Sequence, residues 1–144
     1  MPAASQAKVA LMRKIPLFDG LTEHQLSQLT RLADDVVVAA GKRLASAGEI
    51  GKQMFVIVSG TATVKTPRGR TVRLEAGDFF GEMSLIDGEP RSATVVADTP
   101  MQLLVLGQRE FWELLAEAPP INRKIMTTLS RRLRESEAAF TPYS

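Results

Sequence analysis

The sequence predicts a mainly β fold with flanking helices: a β-roll of short strands in a sandwich or barrel, with N-terminal helices and two C-terminal helices. Three observations lead there. Between residues 35 and 107, glycines fall at 41, 48, 51, 60, 69, 77, 81 and 88 with short apolar or alternating runs between them, the rhythm of turn-separated strands. On both sides of that region the apolar spacing lengthens to the period of helices. The chain has 144 residues, 44% of them apolar and 24% charged, the balance of one ordinary globular unit with room for a proper core.

Taken in order, residues 6–14 form a short helix with Val9, Leu11 and Met12 apolar, and residues 15–21 a proline-interrupted apolar turn. Thr22 caps the next helix, whose Leu26, Leu29 and Leu32 share a face. After Asp34 the pattern changes, and Val36, Val37 and Val38 favour a strand. Met54 to Val58 reads as a buried strand, and Ser59-Gly60 turns into a strand over 61–66. Residues 67–70 then turn into a strand over 71–75. Strands follow over 92–97 and 101–106, separated by Asp98-Thr99-Pro100. Helical period returns at Gln108 with Phe111, Leu114 and Leu115 on one face, and Pro119-Pro120 ends that helix. A last helix runs from Pro120 or Ile121 to about Ala139. Its stripe is Ile121, Ile125, Leu129 and Leu133, and Arg123, Lys124, Arg131, Arg132, Arg134, Glu135 and Glu137 lie mostly off it. The division is a helical segment over 1–34, a β-roll over 35–107 and C-terminal helices over 108–144, together one domain.

Composition narrows function. A net charge of +2 makes no electrostatic case for nucleic acid, and the run Arg131-Arg132, Arg134 is followed by Glu135 and Glu137, the pattern of a solvated helix face. Cysteine is absent, which rules out disulfides and thiolate metal sites and agrees with a reducing cytoplasm. His24 is the one histidine, early in a helix, so neither a metal-dependent hydrolase nor a Ser-His-Asp triad is visible, and no metal site is expected. The expectation is a binder and not an enzyme. No signal peptide reads in the first residues, and no stretch approaches the ~20 apolar residues of a membrane span.

The stretch that carries chemistry is Gly77 to Val96, GDFFGEMSLIDGEPRSATVV. Phe79 and Phe80 anchor it in a core. Gly81 to Ile86 suits a short helix whose first N–H groups lack intrahelical partners, and Gly81 lets a ligand approach the backbone. Asp87-Gly88 breaks the helix, Pro90 holds residue 89 extended, and Arg91 opens a β-rich run, where its guanidinium can fork onto two phosphate oxygens. Glu82 would repel a phosphate but accepts a hydrogen bond from a hydroxyl. A phosphate beside a sugar hydroxyl satisfies both groups, and a ribonucleoside 3′,5′-cyclic monophosphate has that arrangement.

The run FGEMSLIDGEPRSAT resembles the phosphate-binding cassette of cyclic nucleotide-binding domains, found in catabolite-activator-type regulators, protein kinase regulatory subunits and nucleotide-gated channels. The resemblance extends over about residues 15 to 140 and implies the family's β-roll or jelly-roll double-stranded sandwich with flanking helices. It implies a cyclic nucleotide ligand, cAMP or else cGMP, and no cofactor. Arg91, Ser92 and the backbone N–H groups of Met83, Ser84 and Ala93 would meet the phosphate, and Gly81 and Glu82 the ribose. Val64 and Val72 would wall the sugar or base, or serve only as core. Ser92, where members favouring cGMP often carry threonine, leans toward cAMP. Leu85 shifting against Phe111 would relay binding to hinge and lid helices over 108–144, with Ser136 the position matching a base-covering residue. The last helix packs on its own domain or on a second copy, as a possible homodimer. The downstream protein is not readable, and 144 residues leave no room for the helix-turn-helix domain of the catabolite activators. Met1 and the polar end at Tyr143-Ser144 suit a complete chain, and a piece of a kinase, channel or transcription factor suits the sequence as well. The rival reading is a ligand-blind interaction module on the same fold.

Overall fold

The structure, a computed structural model, describes the backbone of residues 2–140 and the side chains of residues 8–134. Among the described residues, eight strands form two four-stranded antiparallel sheets. The first has the order β1 (Asp34–Val38), β8 (Met101–Gly107), β3 (Gln53–Ser59), β6 (Phe79–Phe80), and the second the order β2 (Arg43–Ala45), β7 (Thr94–Ala97), β4 (Ala62–Lys65), β5 (Thr71–Leu74). The described residues also form the α-helices α1 (Pro2–Arg13), α2 (Glu23–Leu32), α3 (Glu82–Asp87), α4 (Gln108–Glu117) and α5 (Pro119–Phe140), with a 3₁₀ turn at Pro16–Phe18.

The unbroken apolar runs at 54–58 and 103–106 have one cause: the first sheet is covered on both faces. Strand side chains alternate. Phe55 and Ile57 of β3 and Leu103 and Val105 of β8 therefore join Ala62, Leu74, Val95 and Ala97 of the second sheet in the core between the sheets. Met54, Val56, Leu104 and Leu106 point the other way, into a second core built with Met12, Leu26, Leu29, Phe111, Leu114, Ile121 and Ile125 of the helices. β6 splits the same way, with Phe79 in the helical core and Phe80 in the inter-sheet core. Two buried phenylalanines thus fix the strand that leads into α3 against both layers.

Helix ends follow local chemistry. The Thr22 hydroxyl accepts from the Gln25 N–H at 3.1 Å and the Gln25 side chain accepts from the Thr22 N–H at 2.9 Å, a complete capping box. Pro119 opens α5 at a first-turn position that needs no donor.

The strand expected over 92–97 starts at Thr94, because residues 90–91 pair with the loop before β3 instead. β2 and β6, too short to show a period, were not separable in the sequence. α1 starts at Pro2 and not at residue 6. The apolar stripe of α5 holds through Ile121, Ile125 and Leu129, but Leu133 is 60% exposed.

Candidate functional site

The site begins at a glycine. Gly81 links β6 to α3 with φ 91°, a left-handed conformation that costs side-chain-bearing residues. A Cβ there would lie 2.7 Å from the Gln53 carbonyl oxygen and 3.0 Å from Arg91 Nη1. α3 follows for six residues and stops at Gly88, φ 70°, whose N–H donates to the Ser84 carbonyl at 3.0 Å.

Arg91 is held by the loop that precedes β3. Its N–H donates to the Glu49 carbonyl at 2.7 Å, its carbonyl accepts from the Gly48 N–H at 2.9 Å, and Ile50 bridges Pro90. The Thr94 hydroxyl accepts from the Ala47 N–H at 3.0 Å, tying the same loop to β7. The Arg91 guanidinium then runs inward. Nη2 donates to the Gln53 carbonyl at 2.8 Å, Nη1 lies 3.5 Å from the Gly81 carbonyl, and Cζ sits 6.0 Å from the Phe55 ring centre. Phe55 is itself stacked on Phe80 at 4.8 Å. Gly51 makes room for this: a Cβ on it would fall 2.2 Å from Arg91 Cζ. Burial lowers the Arg91 pKa from its ordinary value, and Glu82 and then Glu49 act to raise it.

Glu82, the first residue of α3, is 2% exposed. Its Oε1 accepts from Arg132 Nη1 at 2.8 Å, and Nη2 of the same guanidinium donates to the Phe79 carbonyl at 2.8 Å, with Cζ 5.1 Å from the Phe79 ring centre. Burial raises the Glu82 pKa, outweighing Arg132 and Arg91, which both favour the carboxylate.

The structure thus brings Gly81, Glu82 and Arg91 to one place, with the guanidinium against the carbonyl of the residue before the acid. Ser84 is buried in α3 while Met83 is half exposed. Ser92 is exposed and Ala93 half-buried, both outside regular strand. Val64 and Val72 are cross-strand partners in the second sheet; Val64 packs against the inter-sheet core and Val72 is exposed. Leu85 and Phe111 belong to one buried cluster. The side chain of Ser136 lies outside the described residues. Arg132, expected on a solvated face, instead engages Glu82, because it stands three residues beyond Leu129 and helical spacing returns it to the buried side. Gly51 and the Gln53 carbonyl were also missed: the first reads as a turn glycine, and a carbonyl leaves no mark in a sequence. Among the described residues no cluster of His, Asp and Glu suits a metal ion, and no helix is long and apolar enough to cross a membrane.

Known proteins match this architecture. The family model for the cyclic nucleotide-binding domain matches residues 35–118. A cyclic nucleotide-gated potassium channel of Rhizobium etli is 45% identical over 123 residues, 85% of this chain and 34% of the channel. The cyclic AMP receptor protein of Thermus thermophilus is 30% identical over 131 residues, 88% of this chain and 61% of that protein. The chain thus spans about a third of the channel's length. Among solved structures, the catabolite activator protein of Thermus thermophilus superposes with TM-score 0.76 at 29% identity, over 86% of this chain and 61% of that one. A cAMP-bound PfPKA-R fragment superposes at 0.83 with 18% identity, over 98% of this chain and 49% of that one, a likeness of fold. With a family model covering more than half its length, the chain belongs to the cyclic nucleotide-binding domain family, a regulatory binding module and not a catalyst.

Proposed function

We propose that this chain is a receptor for cAMP, with the site at the β6–α3 junction. Arg91 takes the cyclic phosphate, helped by the N–H groups of Met83, Ser84 and Ala93 and by Ser92. Glu82 and Gly81 take the ribose 2′-hydroxyl, and Val64 and Val72 line the sugar or base. The observation that carries this reading is the adjacency of a carbonyl-seated guanidinium and a buried carboxylate at Gly81. A cation and an acid so placed suit a ligand that presents an anion and a hydroxyl together. The smaller side chain at Ser92 favours cAMP over cGMP.

Binding is passed on through Leu85 and Phe111, which share the helical core, to the hinge and lid helices over 108–144. Their changed position is read by another protein, by a further domain or by a second copy docked on α5, in the cytoplasm. The segments 1–34, 35–107 and 108–144 act as one unit in this scheme.

Calorimetric titration of Arg91→Ala with cAMP tests the proposal. Leaving the phosphate without its guanidinium costs about 2–5 kcal/mol, roughly 30-fold to several-thousand-fold in affinity. Equal affinity in variant and wild type defeats it. A wild-type chain that gives no thermal shift with millimolar cAMP or cGMP is instead a ligand-blind interaction module.

A further inference from the structure

The net charge of +2 conceals an uneven distribution, because one face of the second sheet is cationic. Along β7 and β4, Val95, Ala97 and Ala62 point into the inter-sheet core, and Val64 packs against it. Strand alternation therefore turns Val96, Thr63 and Lys65 to the opposite, outer face. Cross-strand pairing sets Arg43, Val96, Thr63 and Arg73 in one row across all four strands. Lys65 stands in the next outward row, between Thr94 and Thr71. Lys42, just before β2, and Arg70, just before β5, extend the set, and all of these cations are exposed.

Among the described residues, the side chains of Lys42, Arg43, Lys65, Arg70 and Arg73 meet no carboxylate and donate no hydrogen bond. The acids on this face are Asp98 and Glu75, both exposed and both at one end of it, and Asp98 accepts from the Thr63 hydroxyl at 2.7 Å. The outward positions between the cations are Thr63, Thr71, Thr94 and Val96, so the face offers neither an aromatic nor a large apolar anchor. Protein partners are gripped mainly by such anchors, and single-stranded nucleic acid by stacking aromatics. A face anchored by cations alone suits a broad plane of anionic groups. Arg43 and Arg73 lie three strand spacings apart, roughly 14 Å. That exceeds the screening length of about 8 Å at physiological salt, so each meets its own anion.

We propose that the outer face of the second sheet docks the domain on an anionic phospholipid surface, with Arg43, Lys65 and Arg73 on the lipid headgroups and Lys42 and Arg70 beside them. The contact is peripheral and electrostatic, and no residue enters the hydrocarbon. α4 and α5 pack against the first sheet, so docking places them on the side away from the bilayer. A change in their position then stays accessible to whatever reads it. Docking is independent of the receptor reading, since none of these cations belongs to the proposed nucleotide site.

The test is co-sedimentation of the full chain with vesicles of phosphatidylcholine alone and of phosphatidylcholine with about one part in three phosphatidylserine, at low and at high salt. The wild type is expected to bind the anionic vesicles, to ignore the neutral ones, and to be released as salt rises to about 0.5 M. Each cation near such a surface is worth about fivefold in partition, so the triple variant Arg43→Gln/Lys65→Gln/Arg73→Gln should bind roughly 100-fold more weakly. The control Arg123→Gln/Arg131→Gln/Arg134→Gln removes the same charge from exposed positions of α5 and should bind as the wild type does. Circular dichroism melting checks that each variant is folded. Should the triple variant unfold, the three single variants read the same face at about fivefold each. Wild-type chain that sediments with neither vesicle, or equally with both, overturns the proposal. So does a control that loses as much binding as the sheet variant, because net charge and not this face would then be responsible. Competition decides between polyanions: a DNA duplex or polyglutamate that binds the wild type while anionic vesicles do not overturns the lipid assignment.

Discussion

Gly51→Ala isolates the seat of Arg91 from the rest of the fold. The added Cβ would fall 2.2 Å from Cζ, 2.5 Å from Nε and 2.5 Å from Nη2 of Arg91. Carbon atoms settle at about 3.5–4.0 Å, so the guanidinium must retreat by roughly 1.5 Å. That retreat breaks the 2.8 Å hydrogen bond to the Gln53 carbonyl. The obstacle is the mobile end of a side chain, and Gly51 has no left-handed φ, so the backbone tolerates alanine. Losing one hydrogen bond costs about 1 kcal/mol, and alanine's restriction of the unfolded chain returns about 0.4–1 kcal/mol. Stability should therefore hardly move. Binding should fall, because a displaced guanidinium forfeits a charge-assisted hydrogen bond worth about 1.5–3 kcal/mol, roughly 10- to 150-fold in affinity. Scanning calorimetry and cAMP titration of the same preparation read the two quantities. Unaltered affinity together with an unaltered melting temperature would show that the position of Arg91 is irrelevant to the ligand. A melting temperature that collapses would show that Gly51 serves the fold and not the site.

Three further outcomes are expected. Gly81→Ala places a side chain at φ 91° and a Cβ 2.7 Å from a backbone carbonyl that cannot swing away. It should cost at least ~1–2 kcal/mol by denaturant midpoint and lose cAMP binding, and a wild-type midpoint would refute this account of the β6–α3 junction. Leu85→Ala, in the helical core at 2% exposure, should cost about 2–5 kcal/mol in urea unfolding, and a loss below 1 kcal/mol would mean that α3 is not anchored there. Glu82 has its folded pKa raised above the ordinary 4.5 by burial, so protonation favours the folded chain. Its stabilising contribution is complete below 4.5 and is lost as pH rises through the raised value. Glu82→Gln does not titrate, so the variant should gain stability relative to wild type between pH 4 and pH 7; a constant difference in urea unfolding would show equal titration in both states.

Much of the candidate site was legible because its parts are contiguous. Gly81, Glu82 and Arg91 lie within eleven residues, and the chemistry of a short helix start, a break and a proline-set arginine reads directly from their order. The glycine rhythm and the apolar periods on either side of it likewise announce strands between helices, because turn and periodicity signals are local. What was not legible arrives from far along the chain. Most of the groups around Arg91 come from residues 48–55, the loop before β3 and the start of that strand, and the partner of Glu82 stands fifty residues later, on a face that sequence alone assigns to solvent. Leu133 fits the apolar stripe as well as Leu129 does, yet it is exposed while Arg132 turns inward.

The sequence by itself determined the order of the helical segments and of the strands other than β2 and β6, and set an acid and a cation around one glycine; the two cores came only with the structure. Only the tertiary structure decided which groups occupy those two side chains: backbone carbonyls for Arg91 and an arginine of the last helix for Glu82. The reason is physical. Periodicity and turn chemistry act over a few residues, whereas the partner of a buried charge is chosen by which distant element packs against it.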